Sequence, residues 1–199
     1  MKILNLYAGI GGNRKLWVNC QVTAVERDPS IAAIYKKLFP DDDVHVADAH
    51  QYLLEHYKEF DFIWSSPPCP THSRLNYPRF AKGIVSYPDM KLYQEIIFLT
   101  WNFKGKWVVE NVISYYDPLI PPQLIGRHYY WSNFPLGRPK WKITDDIANG
   151  NISEMQAYHG IDLSGFDVSN KRLLLRNAVN PAHGLHIFNM AFKESQARL

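Results

Sequence analysis

The amino-acid sequence predicts an α/β fold built on a doubly wound, mostly parallel sheet, and three observations carry that prediction. Apolar runs and helical stretches alternate over roughly the first 115 residues. The apolar runs are short and apolar throughout, as strands covered on both faces must be. Four of them end at a glycine-rich, acidic or proline-rich turn, and such sheets bind ligands outside the carboxyl ends of their strands. A chain of 199 residues with 46% hydrophobic content can enclose one continuous core. No apolar run nears the ~20 residues that cross a bilayer, so no membrane partner is expected. The stretch MKILNLYAG lacks a signal-peptide cleavage pattern. The two cysteines, Cys20 and Cys69, have no metal or redox spacing, and a reducing, cytoplasmic setting is the expectation. A net charge of +3 permits an acidic partner without demanding one.

Taken in order, Lys2–Tyr7 is a first strand that stops at Ala-Gly-Ile-Gly-Gly, and Val22–Glu26 is a second. Pro29–Phe39 reads as a helix, since proline suits a first turn and Ile31, Ile34, Tyr35 and Leu38 recur at helical spacing. Val44–Ala47 is a third strand, ending at Asp48, and Gln51–Tyr57 a helix. Phe60–Ser65 is a fourth strand that runs into Pro67-Pro68-Cys69-Pro70. Asp89–Phe103 reads as an amphipathic helix and Trp107–Val112 as a fifth strand. Beyond these the pattern weakens, leaving a strand at Tyr129–Phe134 and a closing helix at Ala182–Phe192. No internal repeat, low-complexity segment or linker interrupts the chain.

The strand ends carry the chemistry. A glycine turn admits close backbone approach to a ligand. Glu26 closes the second strand, where a carboxylate accepts from ribose hydroxyls, and Asp48 closes the third. Together they suit a nucleoside-bearing cofactor. Nicotinamide dinucleotides are disfavoured, because Gly9 and Gly11 match their glycine fingerprint but Arg14 takes its third position. No Gly-Lys-Ser/Thr follows the turn, so a P-loop is absent. Cys69 follows the fourth strand and Glu110 sits near the end of the fifth. Neighbouring strands lie about 4.8 Å apart, so both side chains can serve one crevice. A thiol nucleophile beside a carboxylic acid suits addition to an electron-poor ring with protonation of that ring. The prolines restrict φ and hold the thiol still. Cys20, in Trp-Val-Asn-Cys-Gln, has no such framing and reads as a small buried hydrophobe.

These residues resemble the cytosine C5 DNA methyltransferases, motif by motif. Tyr7-Ala8-Gly9-Ile10-Gly11-Gly12 is similar to the family's F-x-G-x-G-G cofactor loop. Val25-Glu26 resembles its ribose-binding acid and Asp48-Ala49 its adenine-contacting pair. Pro68-Cys69 matches the proline–cysteine core of its catalytic motif, Ser73 its trailing serine, and Glu110-Asn111-Val112 its glutamate motif letter for letter. Gly126–Asn133 is similar to the H-R-x-R-Y-F-W-G-N stretch of eukaryotic de novo enzymes, and Asn177-Ala178-Val179-Asn180-Pro181 to the closing G-N-[AS]-V-x-P motif.

The resemblance implies a sheet of the S-adenosylmethionine-dependent methyltransferase type over residues 1–199, as a single catalytic domain. It implies S-adenosylmethionine as cofactor, held by residues 7–12, Glu26, Arg27, Asp48, Ala49, Pro67, Asn177 and Val179. It implies DNA with a flipped cytosine as substrate. RNA methylation by the same chemistry, or a non-catalytic nucleic-acid-binding relative, are the alternatives. Cys69 then attacks carbon 6, Glu110 donates toward ring nitrogen 3, and Arg127 holds the base's carbonyl oxygen. The aromatic residues align better one position on, with His128 in the family's arginine position. Three departures stand out: Pro70 after the cysteine, Arg176 where the closing motif has glycine, and a minimal recognition insert around 136–152. Ser73, Arg74, Arg79, Lys82, Arg138 and Lys140 are the candidate nucleic-acid contacts, with Trp141 and Lys142 beside them. Such an insert implies relaxed specificity unless a partner chain or homodimer supplies more. No metal is expected, since His72, His183 and His186 do not amount to a converging ligand set. They read as core or solvated histidines, and the six tryptophans as core.

Overall fold

The computed structural model describes residues 1–139 and 150–193. Seven strands form one sheet: β1 (Lys2–Leu6), β2 (Gln21–Glu26), β3 (Asp43–Val46), β4 (Phe62–Ser65), β5 (Lys106–Val112), β6 (Gln123–Ile125) and β7 (His128–Ser132). Their order is β3-β2-β1-β4-β5-β7-β6. The first five run parallel, while β7 lies antiparallel to β5 and β6 antiparallel to β7. Strand order reverses between β1 and β4, and a crevice opens beyond their carboxyl ends at such a reversal.

Alternation along the strands divides the core into two layers. Leu4, Leu6, Ile63 and Val109 face α2 (Ala49–His56) and α4 (Lys91–Asn102). Ile3, Phe62, Trp64 and Val108 face α7 (Pro181–Ala191), where Trp17 stacks on Phe188 at 5.3 Å between ring centroids. A slip of one residue in β4 would turn Phe62 and Trp64 to the wrong layer, so the register is firmly specified. A third cluster joins Ile34 of α1 (Pro29–Leu38) to Met155 of α5 (Ile152–His159) and Leu175 of α6 (Lys171–Asn177). One further helical turn, α3 (Tyr77–Phe80), follows the proline knot. No helix among the described residues is long and apolar enough to cross a membrane.

Most element boundaries shift for local reasons. The helix expected from Gln51 begins at Ala49, because Asp48 caps it by accepting from the Gln51 N–H at 3.0 Å. The strand expected over Tyr129–Phe134 is His128–Ser132. Strand β6, with only three residues, and helices α5 and α6 escape a periodicity reading. Four tryptophans, at 17, 64, 107 and 131, are buried as expected. Trp101 corrects that expectation: it is 82% exposed on α4, opposite Ile96 and Leu99, where the helix faces solvent. Lys140, Trp141 and Lys142 lie outside the described residues.

Candidate active site

Strand β1 ends in a backbone turn with three left-handed positions, Tyr7 (φ 55°), Gly9 (φ 54°) and Gly11 (φ 76°). The Gly9 N–H donates to Glu26 Oε2 at 2.9 Å, and the Asp28 N–H to Glu26 Oε1 at 2.9 Å. The carboxylate at the end of β2 therefore fixes the turn and keeps lone pairs for further donors. Gly12 is required by packing, since a β-carbon there would strike the backbone oxygen of Val179. This brings the segment after α6 against the turn. Asp48 stands exposed at the end of β3, and the Gln51 N–H holds its carboxyl below the usual range. Arg27 is exposed and Ala49 buried beside it. The glycine turn, Glu26 and Asp48 thus stand beyond three adjacent carboxyl ends, with open space over Gly9.

Beyond β4, Pro67 is buried and its carbonyl accepts from Asn111 Nδ2 at 2.9 Å, which clamps the ends of β4 and β5 together. Asn76 Nδ2 donates to Pro70 O at 2.6 Å from the other side. Between these two anchors sits Cys69, half-buried. Its own carbonyl accepts from the His72 and Ser73 N–H groups at 3.0 and 3.1 Å. The segment is tied to the chain beyond β5 as well: the Tyr115 N–H donates to His72 O, and Arg74 Nε to Ser114 O at 3.1 Å. Burial, then the charge of Glu110, push the Cys69 thiol up, while Arg176 works against both. The thiol must shed its proton before it can attack.

Glu110 is buried on β5, paired in register with Tyr130 of β7. That register sets Val112 opposite His128 and leaves His128 Nε2 3.7 Å from Glu110 Oε1. Arg127 stands one residue earlier, in the turn from β6. A cavity of about 500 Å³ opens here, lined among others by Cys69, Arg127, His128, His159, Arg176 and Asn177. Ser73 and Arg74 also reach it. Val179 meets Gly12 from the far side. Arg79, Lys82 and Arg138 are exposed and line no part of the cavity, and Lys140 lies outside the described residues. The histidines are packed rather than clustered: His72 contacts the Tyr116 hydroxyl at 2.6 Å, and His186 Nε2 lies 2.8 Å from Leu136 O. Among the described residues no group of three or more His, Cys, Asp or Glu side chains could hold a metal ion.

Sequence reasoning passed over two features. In sequence Arg176 is only a departure from the closing motif; that it lines one cavity with Cys69 emerges only from the packing of α6 on α5 and α1. Glu95 reads in sequence as part of an amphipathic helix, yet it is fully buried on α4. Its position among Leu92, Ile96 and Leu99 was the available signal: a carboxylate in an apolar stripe must have partners.

The profile of the C-5 cytosine-specific DNA methylase family matches residues 1–116, more than half of the chain. No curated protein matches it. Among solved structures, the Entamoeba histolytica methyltransferase EhMeth is similar over 96% of this chain and 98% of its own, with a TM-score of 0.57 at 10% identity. A DNMT2 variant from Spodoptera frugiperda matches over 56% of this chain at 26% identity, with a TM-score of 0.42. This chain covers only 35% of that protein. TrmN from Thermus thermophilus matches 56% of this chain and 33% of its own, at 17% identity and a TM-score of 0.36. The first of these likenesses supports the fold, a sheet of the methyltransferase type.

Proposed function

We propose, on the premise that this chain belongs to the C-5 cytosine-specific DNA methylase family, that it methylates carbon 5 of cytosine in DNA through a transient bond from Cys69. The observation that carries the reading is a pairing on the neighbouring strands β4 and β5. A thiol held between two backbone anchors stands beyond β4 and a buried carboxylate near the end of β5, with the glycine turn beyond β1 on the other side of β4.

S-adenosylmethionine, when bound, supplies a methyl group on a sulfonium centre. The glycine turn, Glu26 and Asp48 would hold it, with Asn177 and Val179 closing the far side. The chain's own task is to make carbon 5 nucleophilic. Cys69, as thiolate, adds to carbon 6 of the flipped base, and Glu110 donates a proton toward ring nitrogen 3 so that the added electron pair reaches carbon 5. Once carbon 5 is methylated, loss of its proton restores the ring double bond and expels the thiolate. His128, whose Nε2 lies 3.7 Å from Glu110 Oε1, is the group we assign to the base's carbonyl oxygen in place of Arg127, which lines the same cavity one residue earlier.

The segment from Arg74 to Lys82, with Tyr77 and Phe80, would grip the strand, and Arg138 would add a phosphate contact. With an insert confined to about 136–152, the single domain would read at most a few bases, and binding would weaken steeply with salt. The test is covalent trapping. DNA carrying 5-fluorocytosine should give a denaturation-resistant adduct, because fluorine does not leave as a proton does, and Cys69→Ala should abolish it. An adduct with matched RNA alone would move the substrate to RNA. Binding of DNA with no adduct from either would make the chain a binding relative rather than an enzyme.

A further inference from the structure

Three donors converge on Glu95, a carboxylate with no exposure to solvent. The Tyr7 hydroxyl donates to Oε1 at 2.6 Å, His50 Nδ1 lies 2.9 Å from the same oxygen, and the Ser65 hydroxyl donates to Oε2 at 2.5 Å. A buried carboxylate is tolerated only with such partners, and removing one of them costs far more than an exposed pair would. The placement of the donors matters more than their number. Tyr7 opens the glycine turn after β1, Ser65 is the last residue of β4, and His50 lies in the first turn of α2, two residues after Asp48. Leu6 and Ser65 are register partners in neighbouring strands, so Glu95 reaches across the reversal of strand order from beneath. It joins one carboxyl-end wall that carries glycines, one that leads to Cys69, and one that carries Asp48.

A second observation concerns Tyr7 itself. Its φ of 55° is left-handed, a conformation strained for a non-glycine residue that persists only where the surroundings impose it. The hydroxyl bond to Glu95 is an anchor that phenylalanine, the residue this loop resembles in related sequences, would lack. Burial and the nearby Glu95 charge keep the phenol protonated, hence a donor.

We infer that Glu95 is a positioning residue for the cofactor pocket: through Tyr7, Ser65 and His50 it holds the glycine turn, the strand that leads to Cys69 and the head of α2 in one geometry. The inference rests on the cofactor reading above. It also assigns a role to the tyrosine hydroxyl that the loop motif does not require.

The test is a double-mutant cycle on S-adenosylmethionine affinity, measured by calorimetry with the full chain. Glu95→Gln should weaken binding about tenfold to a hundredfold, and Tyr7→Phe several-fold, the range for losing bonds to a charged group. The double variant should bind more tightly than the product of the two single effects predicts, since both substitutions act on the same Tyr7–Glu95 bond, one removing its donor and the other the charge on its acceptor. In turnover, the apparent KM for S-adenosylmethionine should rise by the same factors while kcat at saturation holds, which a generally loosened fold would not give. Tyr7→Phe is isosteric and keeps the cycle decisive even if Glu95→Gln does not fold. Unchanged affinity in Tyr7→Phe, or effects that multiply independently, would overturn the inference and leave the proposed function standing. A wild-type chain that binds no S-adenosylmethionine would remove both.

Discussion

The turn after β1 and the knot after β4 stand at neighbouring strand ends and are built by opposite means. The first uses glycine freedom, with left-handed backbone at Gly9 and Gly11 and the N–H of Gly9 aimed at Glu26. The second uses proline restriction around Cys69, with carbonyls of Pro67 and Pro70 tied down by Asn111 and Asn76. The difference follows from what each would present under the proposed function. A cofactor cradle works by bringing backbone close to a ligand, so side chains must be absent. A nucleophile works through one side chain, so the backbone beneath it must not move.

Substitution can break this contrast in a graded way. Gly12→Ala should be the costliest of the changes considered for these two segments: a β-carbon pressed on the Val179 backbone cannot be relieved by a rotamer change. A loss of about 3 kcal/mol in denaturant unfolding is expected, at the upper end for overpacking. Pro70→Ala, which only frees a φ angle, should cost less than about 1 kcal/mol by the same measurement. If the two variants proved equally stable, the steric account of the turn would fail. Glu26→Ala should weaken S-adenosylmethionine binding by roughly 1.5–3 kcal/mol, as for hydrogen bonds to a charged group, read by calorimetry.

A smaller effect comes from the cavity's far wall. Burial lowers the His159 pKa to about 4, so the imidazole is neutral in the folded chain at neutral pH. Its folded pKa lies below the unfolded value, so the stabilisation is present above about pH 6.5 and is lost as pH falls toward 4. Unfolding free energy should drop by about 2 kcal/mol between pH 7 and pH 5, and His159→Gln should flatten much of that slope. A slope unchanged in the variant would place the acid sensitivity elsewhere.

How legible the site was depended on where its residues lie. The glycine turn, Glu26, Asp48, Cys69 and Glu110 all lie at or near strand ends within residues 1–116, the span that the family profile also matches. A strand end announces itself, because an apolar run must stop somewhere and the stopping residues are exposed to the crevice. Under the proposed function, His128 and Arg127 compete for one role, and a shift of one residue in β7 is invisible in sequence until the pairing with β5 is known. Arg176 and His159 come from helices whose order along the chain says nothing about which cavity they reach.

Amino-acid order alone determined the alternation of strand and helix and the parallel sheet, and it marked the residues near five strand ends on which the proposed chemistry rests, because those features depend on residues within one or two turns of each other. Three things were left to tertiary structure. The reversal between β1 and β4 decided which strand ends share a crevice. Packing of α5 and α6 on α1 closed the cavity over Cys69. Burial turned Glu95 from one charge on a helix into the meeting point of Tyr7, His50 and Ser65. Each of these joins residues far apart in the chain, and a contact between distant residues has no local pattern: it exists only when the core that forces it has formed.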